Sequence, residues 1–253
     1  MATALITGAS SGLGEEFAWT LAAAGRDVVL VARSRDRLSE TADLLAGATG
    51  VNAEILVADL STAEGTQAVA DRLADPDRPI DLLVNNAGHG LRAGFLETTV
   101  EEEVAALDVM VRAVLILSHA AARAMTARGH GAILNVSSIA SWLGSGSYAA
   151  HKAWVTSFTE GLAGQLKGTG VSATAVLPGL THTEFHERAD DDAYDELPEM
   201  AWLEPEHVVR SALAGVRRKQ VLVTPSLRYG TMTGVVRVLP RTWVRAITSR
   251  RRG

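Results

Sequence analysis

Short apolar runs alternate along the first 223 residues with longer segments whose apolar positions recur three and four apart. The runs fall at residues 4–7, 27–32, 52–57, 80–85, 131–137, 172–177 and 220–223. Several, such as Val28-Val29-Leu30-Val31, are unbroken aliphatic stretches, the pattern of parallel strands covered on both faces. Residues 13–24 carry the stripe Leu13, Phe17, Leu21 and Ala24, and residues 105–128 and 148–166 read as longer helices. The alternation predicts one α/β domain over residues 1–253, a Rossmann-type, doubly wound, seven-stranded parallel sheet with helices on both faces. No linker-like stretch and no internal repeat divides it.

Two segments break the pattern. Residues 181–203 are polar and acidic, hold no predicted strand and follow the sixth run, so they are expected to project over the sheet's carboxyl edge as a substrate lid. Residues 226–253 form a tail that mixes apolar residues and arginines around Pro240.

The first strand meets the first helix through Thr7-Gly8-Ala9-Ser10-Ser11-Gly12-Leu13-Gly14. Glycines at 8, 12 and 14 permit a tight turn in which backbone N–H groups approach a pyrophosphate, and the helix points its positive end at that charge. Gly8, Ser10, Ser11, Gly12, Leu13 and Gly14 are therefore candidate dinucleotide contacts. The second strand ends at Ala32, where a carboxylate would bind a ribose 2′-OH. Arg33 follows, with Arg35 and Arg37 close behind. A guanidinium suits a 2′-phosphate, so NADP(H) is the expected cofactor.

Tyr148 and Lys152 stand four apart at the start of a predicted helix and share one face. Ser138 ends the fifth strand on the edge where a dinucleotide would lie. Hydride delivery to a ketone creates an alkoxide that needs a proton and a hydrogen bond. Free tyrosine, with a pKa of about 10, is a poor base at neutral pH. An ammonium roughly 4 Å away favours the phenolate by about 4 kcal/mol at an effective dielectric near 20. Tyr148 then serves as acid/base, Lys152 tunes it and Ser138 holds the substrate oxygen.

With these motifs in this order, the sequence resembles the short-chain dehydrogenase/reductase family to about Val223. The likeness rests on residues 7–14, Asp59-Leu60, Asn85-Asn86-Ala87-Gly88, Ser138, Tyr148 with Lys152, and Pro178-Gly179 with Thr181 and Thr183. It implies that Tyr148 is the acid/base, that Ser138 orients the substrate and that Lys152 also binds the nicotinamide ribose. It further implies that Asp59 meets the adenine and that Asn85 and Gly88 support the strand and the adenosine side, with Leu60, Asn86 and Ala87 also among the cofactor contacts. Pro178, Gly179, Thr181 and Thr183 then touch the nicotinamide and diphosphate. Two departures stand out. Met110 occupies the place of the family's helix asparagine, and a thioether donates no hydrogen bond. The interval from Ser138 to Tyr148 is about three residues shorter than is usual for the family, which alters the pocket wall.

Other features change the picture less. His182 and His186 flank Glu184, but the order lacks a third ligand, and no metal site is expected. His89 either edges the pocket or faces water. Trp142, Leu143, Phe185, Met200 and Trp202 are candidates for an apolar pocket and lid, whereas Trp154 reads as core or subunit interface. The chain has no cysteine, which excludes a thiolate nucleophile and fits a reducing cytoplasm. Its first residues read as a strand rather than a signal peptide, and no window of roughly 18 uncharged apolar residues appears.

The net charge is -5, yet residues 228–253 hold seven arginines and no Asp or Glu. Nucleic-acid binding is not expected of so acidic a body. The tail is read as a helix packed on the protein or a partner subunit, in preference to a peripheral membrane segment. A homodimer or homotetramer through the helices at 105–128 and 148–166 is expected from the resemblance. The leading reading is an NADP(H) oxidoreductase acting on a carbonyl or secondary alcohol of an apolar small molecule. The rivals are a weakly active dinucleotide sensor or scaffold, and a membrane-associated, lipid-modifying reductase.

Overall fold

A computed structural model describes residues 2–90, 94–183, 198–240 and 242–244. Strands β1 (Thr3–Thr7), β2 (Asp27–Ala32), β3 (Ala53–Val57), β4 (Leu82–Asn85), β5 (Gly131–Val136), β6 (Val171–Val176) and β7 (Leu222–Val223) form one sheet in the order β3-β2-β1-β4-β5-β6-β7. Every pairing is parallel. All seven strands arise from the predicted apolar runs, with ends moved by a residue or two. The chain order reverses between β1 and β4, and that switch opens a crevice at the carboxyl edge of the sheet.

The unbroken apolar runs are explained by two cores. Ile6 and Leu30 pack against α1 (Gly12–Ala23), α2 (Arg35–Thr49) and α7 (Pro205–Arg217). Their neighbours Leu5, Val29 and Val31 point the other way, to α3 (Ala63–Ala74) and α5 (Ala113–Arg128). Each strand therefore buries both faces, and a polar side chain on either would be orphaned.

The helix expected over residues 105–128 starts earlier and is interrupted. Thr99 and Glu102 form a capping box that opens α4 (Val100–Leu107), and a π-helical turn at Asp108–Arg112 joins it to α5. The Asp108–Arg112 ion pair at 2.7 Å spans that turn. An 18-residue window inside Val100–Arg128 is apolar enough to cross a membrane, with a mean hydropathy of 1.8. Here it is a core helix, since Leu117, Ala121 and Met125 are buried on the sheet.

Helix α6 (Gly146–Gln165) carries Tyr148 and Lys152 and is tied to the sheet by a buried polar chain. Asn85 Nδ2 donates to Ser118 Oγ at 3.0 Å and to Asn135 Oδ1 at 2.9 Å, and Asn135 Nδ2 donates to Thr159 Oγ1 at 2.9 Å. These bonds link β4, α5, β5 and α6 at fixed angular positions. Asn135→Leu removes the middle of the chain and takes one partner each from Asn85 Nδ2, which keeps Ser118, and from Thr159 Oγ1, which keeps the Val155 carbonyl. The expected cost is about 1–3 kcal/mol in all, read as a lower urea midpoint with an unchanged m-value.

Candidate active site

The crevice is built at one end around the β1–α1 loop. Ser11 caps α1 in an extended conformation without a side-chain hydrogen bond, so the first-turn N–H groups have no side-chain acceptor there. A Cβ on Gly14 would collide with the Gly8 carbonyl, so only glycine lets the helix start this close to the turn. Thr7 Oγ1 accepts the N–H groups of Asn86 and Ala87, each at 3.0 Å, and Asn86 Nδ2 donates to the Thr7 carbonyl at 3.0 Å. Asn86 and Ala87 thus brace the loop. Asn85 lies beneath them as part of the buried polar chain.

At the adenosine end, Arg33 is exposed just beyond β2. Asp59 accepts the N–H of Ser61 at 2.9 Å and its hydroxyl at 2.7 Å. Those bonds, aided by the Arg33 charge, hold its carboxyl below the usual range. The Leu60 side chain is in the core, only 6% exposed, which leaves its backbone as what it can present to the crevice. His89 is exposed beside the crevice and sits in the combined field of Arg33 and Lys152. Lost hydration and those two cations depress its pKa.

At the opposite end, the loop after β6 lies against the loop after β5. Ile139 N–H donates to the Pro178 carbonyl at 2.9 Å, and Thr181 Oγ1 to the Gly179 carbonyl at 3.1 Å. Thr183 reaches across to the phosphate loop, where a Cβ on Gly12 would stand 3.3 Å from the Thr183 Cβ. The glycine cradle, the uncapped helix start and the exposed Arg33 together fit a dinucleotide phosphate.

The two neighbouring serines separate by burial. Ser137 is buried, donating to the Lys152 carbonyl at 2.8 Å and standing 2.7 Å from Thr156 Oγ1. Ser138 is half-exposed and accepts the Ala140 N–H at 3.1 Å, capping the single turn Ile139–Trp142. Ser138 is therefore the serine that faces the crevice. Lys152 is only 5% exposed, and its Nζ donates to the Val136 carbonyl at 2.9 Å. That nitrogen lies 5.7 Å from the centre of the Tyr148 ring. Burial pulls the lysine down from 10.5 to about 8.

Met110 is buried in the π-helical turn opposite. A Cβ on Gly88 would stand 3.5 Å from its Sδ and 3.6 Å from Lys152 Nζ, so thioether and ammonium flank the same glycine. A neighbour that the sequence reading missed is His151, buried with no hydrogen-bond partner for Nδ1 among the described residues. Burial lowers its pKa, against the pull of Glu103. No spacing marks such a residue in the sequence.

The lid falls mostly outside the described residues, including Glu184, Phe185 and His186. Its two ends are joined by a parallel bridge between Thr181 and Leu203, where no strand was expected. His182 stacks on Trp202 at 4.9 Å and hydrogen-bonds Glu199 at 3.0 Å, a packing role. Trp154 stacks on Phe158 at 4.7 Å along α6. Trp142 lies under the Arg237 guanidinium at 4.6 Å. Arg237 belongs to α8 (Leu227–Val238), whose Tyr229 ring occupies the space a Cβ on Gly179 would need. No periodicity announced either contact.

Fold and site together define an α/β oxidoreductase with a dinucleotide crevice. Residues 2–193 match the short chain dehydrogenase family model. An uncharacterized oxidoreductase of Staphylococcus saprophyticus is 32% identical over 218 residues, 85% of this chain and 91% of that one. A short-chain dehydrogenase from Sphingobium yanoikuyae, solved with NADPH, superposes with a TM-score of 0.84 at 35% identity, over 95% of this chain and 97% of its own. A bulky-bulky ketone specific alcohol dehydrogenase from Comamonas testosteroni gives 0.81 at 30% identity, over 95% and 96%. The chain belongs to the short-chain dehydrogenase family.

The buried ammonium has a thermodynamic signature. Between its folded value of about 8 and its ordinary 10.5, the unfolded chain holds more of this proton, so stability rises with pH in that window. Below it the full penalty applies, about 3 kcal/mol for this displacement. Lys152→Met, unbranched and uncharged, is expected to be more stable than the parent at pH 7. That advantage should fade as pH climbs through the window, as measured by urea unfolding of the two cofactor-free proteins.

Proposed function

We propose that the protein is an NADP(H)-dependent reductase or dehydrogenase of an apolar carbonyl compound or secondary alcohol. Tyr148 is the proton donor and acceptor, Lys152 tunes it and Ser138 holds the substrate oxygen. The observation that carries this reading is the buried Lys152 ammonium set 5.7 Å from the Tyr148 ring at the open end of β5. Gly8, Ser10, Ser11, Gly12, Leu13 and Gly14 hold the diphosphate through backbone N–H groups. Arg33 takes the 2′-phosphate, and Asp59 the adenine side. Pro178, Gly179, Thr181 and Thr183 hold the nicotinamide end.

When bound, NADPH supplies the hydride that reduces the substrate carbon. Tyr148 gives its hydroxyl proton to the carbonyl oxygen, with Ser138 donating a hydrogen bond to that same oxygen while charge develops. The Lys152 charge stabilises the phenolate left behind, and reprotonation from water resets the site. Alcohol oxidation runs these transfers backwards. The Comamonas relative, described as specific for bulky ketones, supports an apolar substrate, as do Trp142 and Trp202. The same proposal includes a homodimer or homotetramer in a reducing cytoplasm. Val100, Val104 and Leu107 on α4 and Leu115 on α5 are exposed, and pairing of these helices would cover them.

A second reading, a binding protein with slow turnover, is favoured by Met110. Its sulfur is a weak acceptor beside an ammonium that must exchange protons. Steady-state assays with NADPH against a panel of bulky ketones separate the two. Tyr148→Phe is expected to lower kcat about 10²–10⁴-fold while NADPH affinity holds. Tight NADPH binding with no ketone reduced, and no effect of the substitution, would support the binding protein instead. Arg33→Asp should weaken NADPH about 10–100-fold and spare NADH, as fluorescence titration would record.

A further inference from the structure

Helix α6 brings two titratable side chains up to Tyr148, and the mechanism above uses one of them. At 100° per residue, His151 and Lys152 stand one turn beyond the tyrosine, about 60° to one side of it and about 40° to the other. His151 is 8% exposed, and of its two ring nitrogens Nδ1 alone is both sealed from water and without a hydrogen-bond partner among the described residues. Helix α6 packs against α4 and the π-helical turn. The charges that reach the ring are Glu103 on α4, Lys152 on its own helix and His89 in the loop after β4. Lost hydration outweighs the pull of Glu103, so the ring is held toward its neutral form. A neutral imidazole has one N–H to give and one lone pair to fill.

The other buried groups around the Tyr148–Lys152 pair lack that combination. The Lys152 ammonium donates to the Val136 carbonyl at 2.9 Å, an acceptor with no proton to return. Ser137 Oγ donates to the Lys152 carbonyl at 2.8 Å and stands 2.7 Å from Thr156 Oγ1. Met110, buried in the π-helical turn, offers a thioether that donates nothing. Each carbonyl reduced costs Tyr148 a proton, and bound substrate and nicotinamide cover its crevice side. The replacement has to arrive along the helix.

We propose that His151 is the relay that returns a proton to Tyr148 after each reduction. One imidazole N–H breaks as the tyrosine O–H forms, and the other ring nitrogen takes a proton from solvent. The ring ends neutral, one proton has left the solvent, and no electrons have moved. Side chains at this helical spacing have Cβ atoms about 5–6 Å apart, a gap that one water molecule bridges. In alcohol oxidation the same ring carries the proton outward. His151 touches neither substrate nor cofactor and acts only through Tyr148. The relay rests on the catalytic reading above, and its test separates the two.

His151→Phe keeps a ring in place and cannot carry a proton. With a bulky ketone and saturating NADPH it should lower kcat about 10²-fold, the low end for a group that moves a proton, while ketone KM and NADPH affinity stay within about twofold of the parent. In D2O its turnover should slow by a larger factor than the parent's. His151→Ala carries the same expectation should the larger ring fail to fold. Imidazole at about 50 mM should raise the kcat of the alanine variant at least about fivefold and leave the parent unchanged. A kcat close to the parent's, a loss that falls on KM or NADPH affinity instead, or a lost kcat that imidazole does not restore would overturn the relay and leave Tyr148 in its role. A parent that reduces no ketone overturns the catalytic reading, and the relay with it.

Discussion

A charged amine almost sealed from water is the constraint around which this molecule is organised. Lys152 reaches its place because Ser137, at the end of β5, hydrogen-bonds the lysine's own carbonyl and fixes α6 against the sheet. Its ammonium then meets the Val136 carbonyl, one residue earlier on the same strand. One carbonyl does not repay the loss of hydration, and the depressed pKa records the shortfall. The fold carries that cost in a place where a phenol stands next to the charge and a crevice opens beside both. Charge held without solvent is what makes it effective on a neighbour, since water would screen it.

The features legible in the sequence were those where local geometry allows few residues. Leu5 and Ile6 belong to opposite cores, so a buried parallel strand must be apolar at both, and the run announces itself. Gly14 is dictated by the Gly8 carbonyl, and Tyr148 and Lys152 by the pitch of one helix. What stayed hidden depends on partners far along the chain. Nothing in Asp59-Leu60 reveals that the leucine faces the core while the aspartate faces Arg33. The π-helical turn around Met110 leaves the residue pattern of an ordinary helix intact. The chain Asn85–Asn135–Thr159 joins three segments, each of which alone looks like a polar blemish in an apolar run.

The substrate side shows the same division more sharply. The interval between Ser138 and Tyr148 is short, and the shortness was visible, but its consequence was not. Trp142, at the end of the turn Ile139–Trp142, is covered by Arg237 from an element that starts about 85 residues after that tryptophan. Gly179 is likewise glycine because Tyr229 fills the space beside it. Arg237 and Tyr229 thus bring α8 against the loops after β5 and β6, so the walls beside Ser138 and Gly179 depend on an element that no local pattern announced.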